Sequence, residues 1–411
     1  MDPRDRPAWV RHALAGEGGP VYDVARRPFE PDDLEAESRI RAGSDDLGPP
    51  THRAPLEILC RALEEEADLH LVGRWRVREV LLRYLENRLR IVEALRRDPS
   101  IAAEDVGAPI VVTGSPRAGT SLLHQLLALP PDTRSPLAWQ VWQPTPPPGP
   151  PPWDGDPRRP LADRDVRLSA ALDPAFDGMH EQGADLPRED GSIMGVDLRS
   201  DLLYAHYPVP SYARWLFADD HRAAIEWHRR TLQILQHGAG PGRWVLKWPG
   251  WLQVLPQLLE AHPAATVVVC HRDPLEMLSS VTSLVTTLRS CHAEGVDRRE
   301  VASEQADHYA ALLQRHVADR DAGIPPAAQV VDVHFAQLVA DPVAVVRAVH
   351  ATAGLPFAAE DEARVAAHLA ARPKGRHGGH DHDFASLGLD RDAERDRFVG
   401  YQRRFGVPSE V

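Results

Sequence analysis

Pro109-Ile110-Val111-Val112-Thr113-Gly114-Ser115-Pro116-Arg117-Ala118-Gly119-Thr120-Ser121-Leu122-Leu123-His124-Gln125-Leu126-Leu127 is the stretch on which the fold turns. It opens with a β-branched apolar run, which reads as a strand buried on both faces. It closes with a helical run from Leu122 to Leu127, and a glycine-containing loop lies between. A loop joining a parallel strand to a helix aims backbone N–H groups and the helix dipole at one spot, which suits a phosphate. The nucleoside-triphosphate form of such a loop, G-x-x-x-x-G-K-[ST], has a lysine after its second glycine. Here Gly114 and Gly119 keep that spacing and Ser121 keeps its place, but Thr120 occupies the lysine position and the cation is Arg117. The loop reads as an anion cradle with one guanidinium and two hydroxyls.

Outward from this unit, Trp244-Val245-Leu246, Thr266–Val269 and Val330–Val333 read as further strands. Helical stretches at Leu252–Ala261, Leu275–Leu288 and Val343–Ala353 follow them. Alternating strands and helices predict an α/β fold, a P-loop-like and mostly parallel central sheet flanked by helices. Before it, Leu81, Leu85 and Leu89 recur at helical spacing, with Val92 and Leu95 continuing the face. Gly73 is expected to break this region into two helices. Residues 1–104 are thus expected to form an irregular segment and a helical pair packed on a catalytic unit at 105–411. Between the first two strands, Pro144–Pro152 holds seven prolines in nine residues, an extended loop that reads either as a rigid pocket rim or as a surface connection.

Two more segments carry anion-binding chemistry. The strand Thr266–Val269 runs into His271-Arg272-Asp273-Pro274, which places Arg272 at a strand's carboxyl end, where α/β sheets bind ligands. Ser280 is eight residues on, about two helical turns, so it can face the same side. The alternative is a structural Arg272 paired with Asp273 or a neighbouring loop. Arg372-Pro373-Lys374-Gly375-Arg376 is a basic, glycine-containing loop able to close on an anion. His377, His380 and His382 follow it, but no cysteine or spaced carboxylates complete a metal site, and none is expected.

Bulk composition narrows the partners. With 47 basic and 60 acidic residues the net charge is −13, which argues against a general nucleic-acid or anionic-membrane binder. Three well-separated cysteines show no CxxC and no disulfide framework, pointing to a reducing compartment. The charged N-terminus lacks a signal-peptide core and no run of about 18 apolar residues occurs, so a cytoplasmic protein without a transmembrane segment is expected. Of the 47 basic residues only Lys247 and Lys374 are lysine. Proline, 38 of 411, is about twice its usual ~5% share.

The ordered set of segments resembles the PAPS-dependent sulfotransferase family, in particular its bacterial branch (PAPS is 3′-phosphoadenosine 5′-phosphosulfate). The resemblance implies that Arg117, Ala118, Gly119, Thr120 and Ser121 form the 5′-phosphosulfate loop, with arginine where many members have lysine. It implies that Arg272 and Ser280 hold the 3′-phosphate, that Lys374, Gly375 and Arg376 close over the nucleotide, and that Lys247 is catalytic. PAPS would be the co-substrate, with no metal, and the acceptor a hydroxyl of a small molecule or lipid. The family's histidine a few residues after the motif lysine is missing: the chain reads Lys247-Trp248-Pro249-Gly250-Trp251. Substitute bases fall in Met179–Glu189, namely His180, Asp185 and Glu189; the last two would share one face if the segment is helical, and paired carboxylates raise one pKa. The two tryptophans would either line an aromatic acceptor pocket or pack in the core. The other readings are an unusual P-loop kinase using ATP and Mg²⁺, and a repurposed, non-catalytic nucleotide-binding member of the family.

Overall fold

The computed structural model describes residues 11–12, 15, 20–172, 183–372 and 384–410. Five strands form one parallel sheet: β1 Ile110–Gly114, β2 Thr133–Arg134, β3 Arg243–Lys247, β4 Thr266–His271 and β5 Val330–His334, in the order β2-β3-β1-β4-β5. β1 lies at the centre, with Val112 opposite Lys247 on one side and Gly114 opposite Cys270 on the other. The β-branched runs of β1 and β4 are buried throughout, as strands covered on both faces must be. Alternate residues enter opposite cores. Val111, Leu246 and Val267 join one cluster, and Ile110, Val112, Val245 and Val268 the other. The chain leaves β1 toward β2 and β3 and later crosses to β4, so the carboxyl ends of β1, β3 and β4 border a topological switch point, where such sheets bind ligands.

The helices that frame this edge are, in chain order, α1 Pro31–Ala42, α2 Arg53–Glu65, α3 Leu71–Arg97, α4 Thr120–Leu127, α5 Ala138–Trp142, α6 Asp201–His206, α7 Pro210–Ala218, α8 Arg222–Gln236, α9 Pro274–Ser290, α10 Arg298–Asp321, α11 Phe335–Ala340 and α12 Pro342–Thr352, closing with α13 Arg391–Phe405. Helices α1–α3 share a buried cluster with Leu203 of α6, Tyr207, and Tyr212 and Leu216 of α7.

Gly73 does not break the helical region. The break is at 66–70, where His70 caps α3 by accepting from the Gly73 N–H at 2.9 Å. Gly73 sits in the first turn because α3 lies against the end of α9: a Cβ there would fall 1.9 Å from the His292 carbonyl oxygen. The helix Leu252–Ala261 is shorter than the sequence indicates, a 3₁₀ turn at Pro249–Leu252 followed by Leu255–Ala261. The 24-residue α10 went unread, because its buried face mixes Val301, Tyr309, Leu312 and Leu313 with three alanines, Gln305 and His316, which dilutes the apolar stripe.

The proline-rich segment is a surface connection. Arg158 stacks on Trp139 and donates to the Gln143 and Pro146 carbonyls. The cavity described below is lined by Trp142 and Ala162 on either side of this loop, but by none of residues 144–152.

Candidate active site

Gly114, at φ +116°, ends β1 where a side chain would strike the Cys270 carbonyl 2.3 Å away. Arg117 then adopts φ +64°, unusual for a non-glycine residue, and Gly119 at φ +85° caps α4. A Cβ on Gly119 would lie 2.6 Å from Leu338 Cδ2 of α11. These turns bring Thr120 and Ser121 into the first turn of α4, beside the ends of β3 and β4.

Arg117, Arg272 and Ser280 meet there. Arg117 Nε donates to Ser280 Oγ at 3.1 Å, and an Arg272 terminal nitrogen donates to the Arg117 carbonyl at 3.3 Å. The helical spacing of Arg272 and Ser280 therefore does place them on one side. Arg272 lies over the Phe335 ring, 4.3 Å from its centroid, and forms ion pairs with Glu276 at 3.4 Å and Glu410 at 3.0 Å. It does not pair with Asp273. That carboxylate caps α9 through the Leu275 N–H and forms an ion pair with Arg395 of α13. Burial, then the neighbouring Arg272 charge, push the Arg117 guanidinium below its ordinary value. Two cations held this close, one of them desolvated, favour an anion between them.

Lys247 ends β3 almost fully buried; its ammonium donates to Ser121 Oγ at 3.2 Å and forms an ion pair with Glu189. The backbone fixes this pair, because the Asp190 N–H donates to the Lys247 carbonyl at 2.9 Å. The tryptophans complete the clamp from the core. Trp251 Nε1 donates to Asp190 Oδ2 at 2.9 Å, and Trp248 Nε1 to Asp201 Oδ1 at 2.7 Å. Both rings are buried in the cluster under the sheet, and neither lines the cavity described below. Burial holds the Asp201 carboxyl up at about 7.

Asp185 and Glu189 do not share a helix face, because helix resumes only at Gly191–Met194. The chain turns at 183–186, where the Leu186 N–H donates to the Gly183 carbonyl, and then runs beside 136–137: Leu137 bridges Pro187, and the Arg188 N–H donates to the Pro136 carbonyl. Glu189 points to Lys247, while Asp185 forms an ion pair with Arg159 and stays half exposed. His180, Lys374, Gly375 and Arg376 lie outside the described residues.

Lys247, Glu189 and Ser121 form one end of a cavity of about 290 Å³ between the sheet edge and α3. Its walls include Tyr84 of α3, His124 of α4, His206 of α6 and His292 beyond α9. Burial pushes His124 and His206 down to about 4 and His292 well below its usual value, so all three are neutral near pH 7. No motif announced Glu410, Phe335, Arg395 or the α3 residues of the wall; each comes from a distant part of the chain.

The sulfotransferase family profile matches residues 109–359. Two solved structures resemble the chain over nearly its whole length. Sulfotransferase STF1 from Mycobacterium tuberculosis H37Rv is 29% identical with a TM-score of 0.79, covering 90% of this chain and 98% of its own. Sulfotransferase STF9 from Mycobacterium avium is 27% identical with a TM-score of 0.84, covering 94% and 99%. Among curated proteins none matches.

Proposed function

The chain belongs to the sulfotransferase family, and from that premise we propose that it moves a sulfuryl group from PAPS to a hydroxyl of a small acceptor. The observation that carries the donor assignment is the pairing of two separate cationic points at one sheet edge, Arg117 with Arg272 and Ser280, and Lys247 with Ser121. A nucleotide with a 3′-phosphate and a 5′-phosphosulfate needs two such points, and these donors fit it. The kinase alternative lacks its loop lysine, and Thr120 stands in that place. Three buried cysteines, none of them in a disulfide, support the cytoplasmic setting.

PAPS supplies an activated sulfuryl group. In this reading Lys247 and Ser121 stabilise charge on the departing phosphate oxygen, with Thr120 beside them, while Arg272, Ser280 and the loop Lys374-Gly375-Arg376 bind the 3′-phosphate. The Lys247 ammonium, drawn to the phosphosulfate, releases Glu189 toward the cavity. There Glu189 takes the acceptor proton as the acceptor oxygen bonds to sulfur and the sulfur–oxygen bond to phosphate breaks. Neutral His206 and His292 line the same cavity, and Asp185, held by Arg159, takes no part.

The test is binding of the desulfated product PAP (3′-phosphoadenosine 5′-phosphate), read by thermal shift against ATP with Mg²⁺. PAP is expected to stabilise the protein without added metal; stabilisation by Mg-ATP alone would sink the proposal. Arg272→Ala should weaken PAP at least tenfold while AMP, which lacks the 3′-phosphate, changes less than about threefold. Equal losses would show that Arg272 does not read the 3′-phosphate.

A further inference from the structure

Three successive residues at the carboxyl end of β4, His271, Arg272 and Asp273, are each met by the last helix or by the segment behind it. Tyr401 of α13 hydrogen-bonds His271 Nδ1 through its hydroxyl at 2.7 Å. Arg395 of α13 donates to both carboxylate oxygens of Asp273. Glu410, beyond α13, lies on Arg272. The partners are 122 to 138 residues apart in the chain, so no local element requires these contacts.

The direction of the bonds through His271 follows from the chemistry at their far end. His271 Nε2 lies 2.9 Å from Asp332 Oδ1 of β5, and Arg320 of α10 donates to the two Asp332 oxygens at 2.7 and 2.9 Å. Burial alone would raise the Asp332 carboxyl, but the bonds from His271 and Arg320 outweigh it and hold it below its ordinary value. An ionised carboxylate only accepts, so Nε2 carries the proton. Burial lowers His271 in turn, so the ring is neutral and Nδ1 offers a lone pair to the Tyr401 O–H. Both ring nitrogens of a fully buried side chain are thereby satisfied. Phe405 closes the joint, stacked between the rings of His271 and His316 with centroids at 4.8 and 4.9 Å.

The residues on either side of Arg272 are thus pinned to α13, while the guanidinium between the two pins keeps a partly exposed ion pair that a phosphate can replace. We propose that Tyr401 and Arg395 are positioning residues for the donor: by holding His271 and Asp273 they fix where the Arg272 guanidinium points. In this way α13 sets how strongly the site prefers a nucleotide with a 3′-phosphate over one without it. A guanidinium already held in its binding geometry loses less freedom when the phosphate arrives. The proposal rests on the donor reading above, in which Arg272 takes the 3′-phosphate.

The experiment is calorimetric titration of the full chain with PAP and with AMP, on wild type, Tyr401→Phe, Arg272→Ala and the two substitutions combined. Tyr401→Phe keeps the ring and removes the donor to Nδ1. It is expected to weaken PAP by about three- to tenfold, the worth of one hydrogen bond, with AMP within about twofold of wild type. Added to Arg272→Ala it should change PAP by less than about twofold, because the residue it positions is gone. A general loosening of the fold would instead weaken PAP and AMP alike and persist in the Arg272→Ala background. Either result overturns the proposal, as does unchanged PAP binding. Arg395→Gln is judged by the same criteria and decides the matter if Tyr401→Phe does not fold. A wild type that fails to bind PAP refutes the donor reading and takes this proposal with it; a wild type that binds PAP, with variants that match it, refutes the positioning role alone.

Discussion

Glu189 and Asp185 are chemically alike and four positions apart, yet the fold gives them opposite surroundings. One is drawn into the cavity against Lys247, and the other is half exposed on Arg159. A turn at 183–186, closed by the Leu186 N–H on the Gly183 carbonyl, lies between them and separates what a helix would have aligned. Glu189→Gln keeps the shape but cannot accept a proton. It is expected to lower turnover about 100-fold or more while PAP affinity stays within twofold, measured by sulfuryl transfer and by calorimetry. Unchanged turnover would place the base elsewhere in the cavity. At this scale the sequence was legible where chemistry is local. Arg272 and Ser280 meet because eight residues span about two turns of α9 and its approach. Glu410 on Arg272, and the tryptophans behind Asp190 and Asp201, join positions more than 40 residues apart, and no local pattern encodes such contacts.

At the scale of elements, the strand–loop–helix unit at 109–127 could be read because its β-branched run and its glycines are both local signals. The strands after it were found to within a few residues for the same reason. The two-residue β2 and α10 were not: β2 is too short to show a period, and the apolar stripe of α10 is diluted by small and polar residues. Gly73 shows how a correct residue can carry the wrong reading. Its role is close approach rather than breaking, with His292 backbone where a methyl would sit. Gly73→Ala should therefore cost ~1–3 kcal/mol and shift the α3 wall of the acceptor cavity. Gly400, in α13 with open space around it, is the control: Gly400→Ala should be neutral or stabilise by about 0.5–1 kcal/mol. Unfolding midpoints of the two variants decide it, and equal midpoints would contradict the contact.

For the whole molecule, the scarcity of lysine acquires a structural reading at one of its two positions. Lys247 is buried at the end of β3 between a hydroxyl and a carboxylate, where a compact ammonium fits and a planar guanidinium would need more room. Many of the described arginines serve as one half of an ion pair, as in Arg88 with Asp197, which ties α3 to the segment before α6. The class of fold and the sheet edge that carries the chemistry followed from alternating strands and helices. The acceptor cavity did not, because its walls come from α3 through His292, and only folding brings them together.

Under the proposed function, the segment after α13 also sets the terms on which the nucleotide enters. Glu410 lays its carboxylate on Arg272, and its N–H donates to Asp273 at 2.7 Å, so the side chain is held in place from both ends. A 3′-phosphate wants the same guanidinium. The protein thus carries its own tethered competitor, acting at an effective concentration that dilution does not lower. A partly exposed pair of this kind is worth about 0.2–1 kcal/mol, so Glu410→Gln should tighten PAP by roughly 1.5- to 5-fold, chiefly through faster entry. AMP, which makes no claim on Arg272, should bind as before; weaker PAP binding by the variant would mean that Glu410 orders the site instead of contesting it. Under that reading part of the donor's affinity goes to displacing Glu410, and the arginine regains its counter-ion once the spent nucleotide has left.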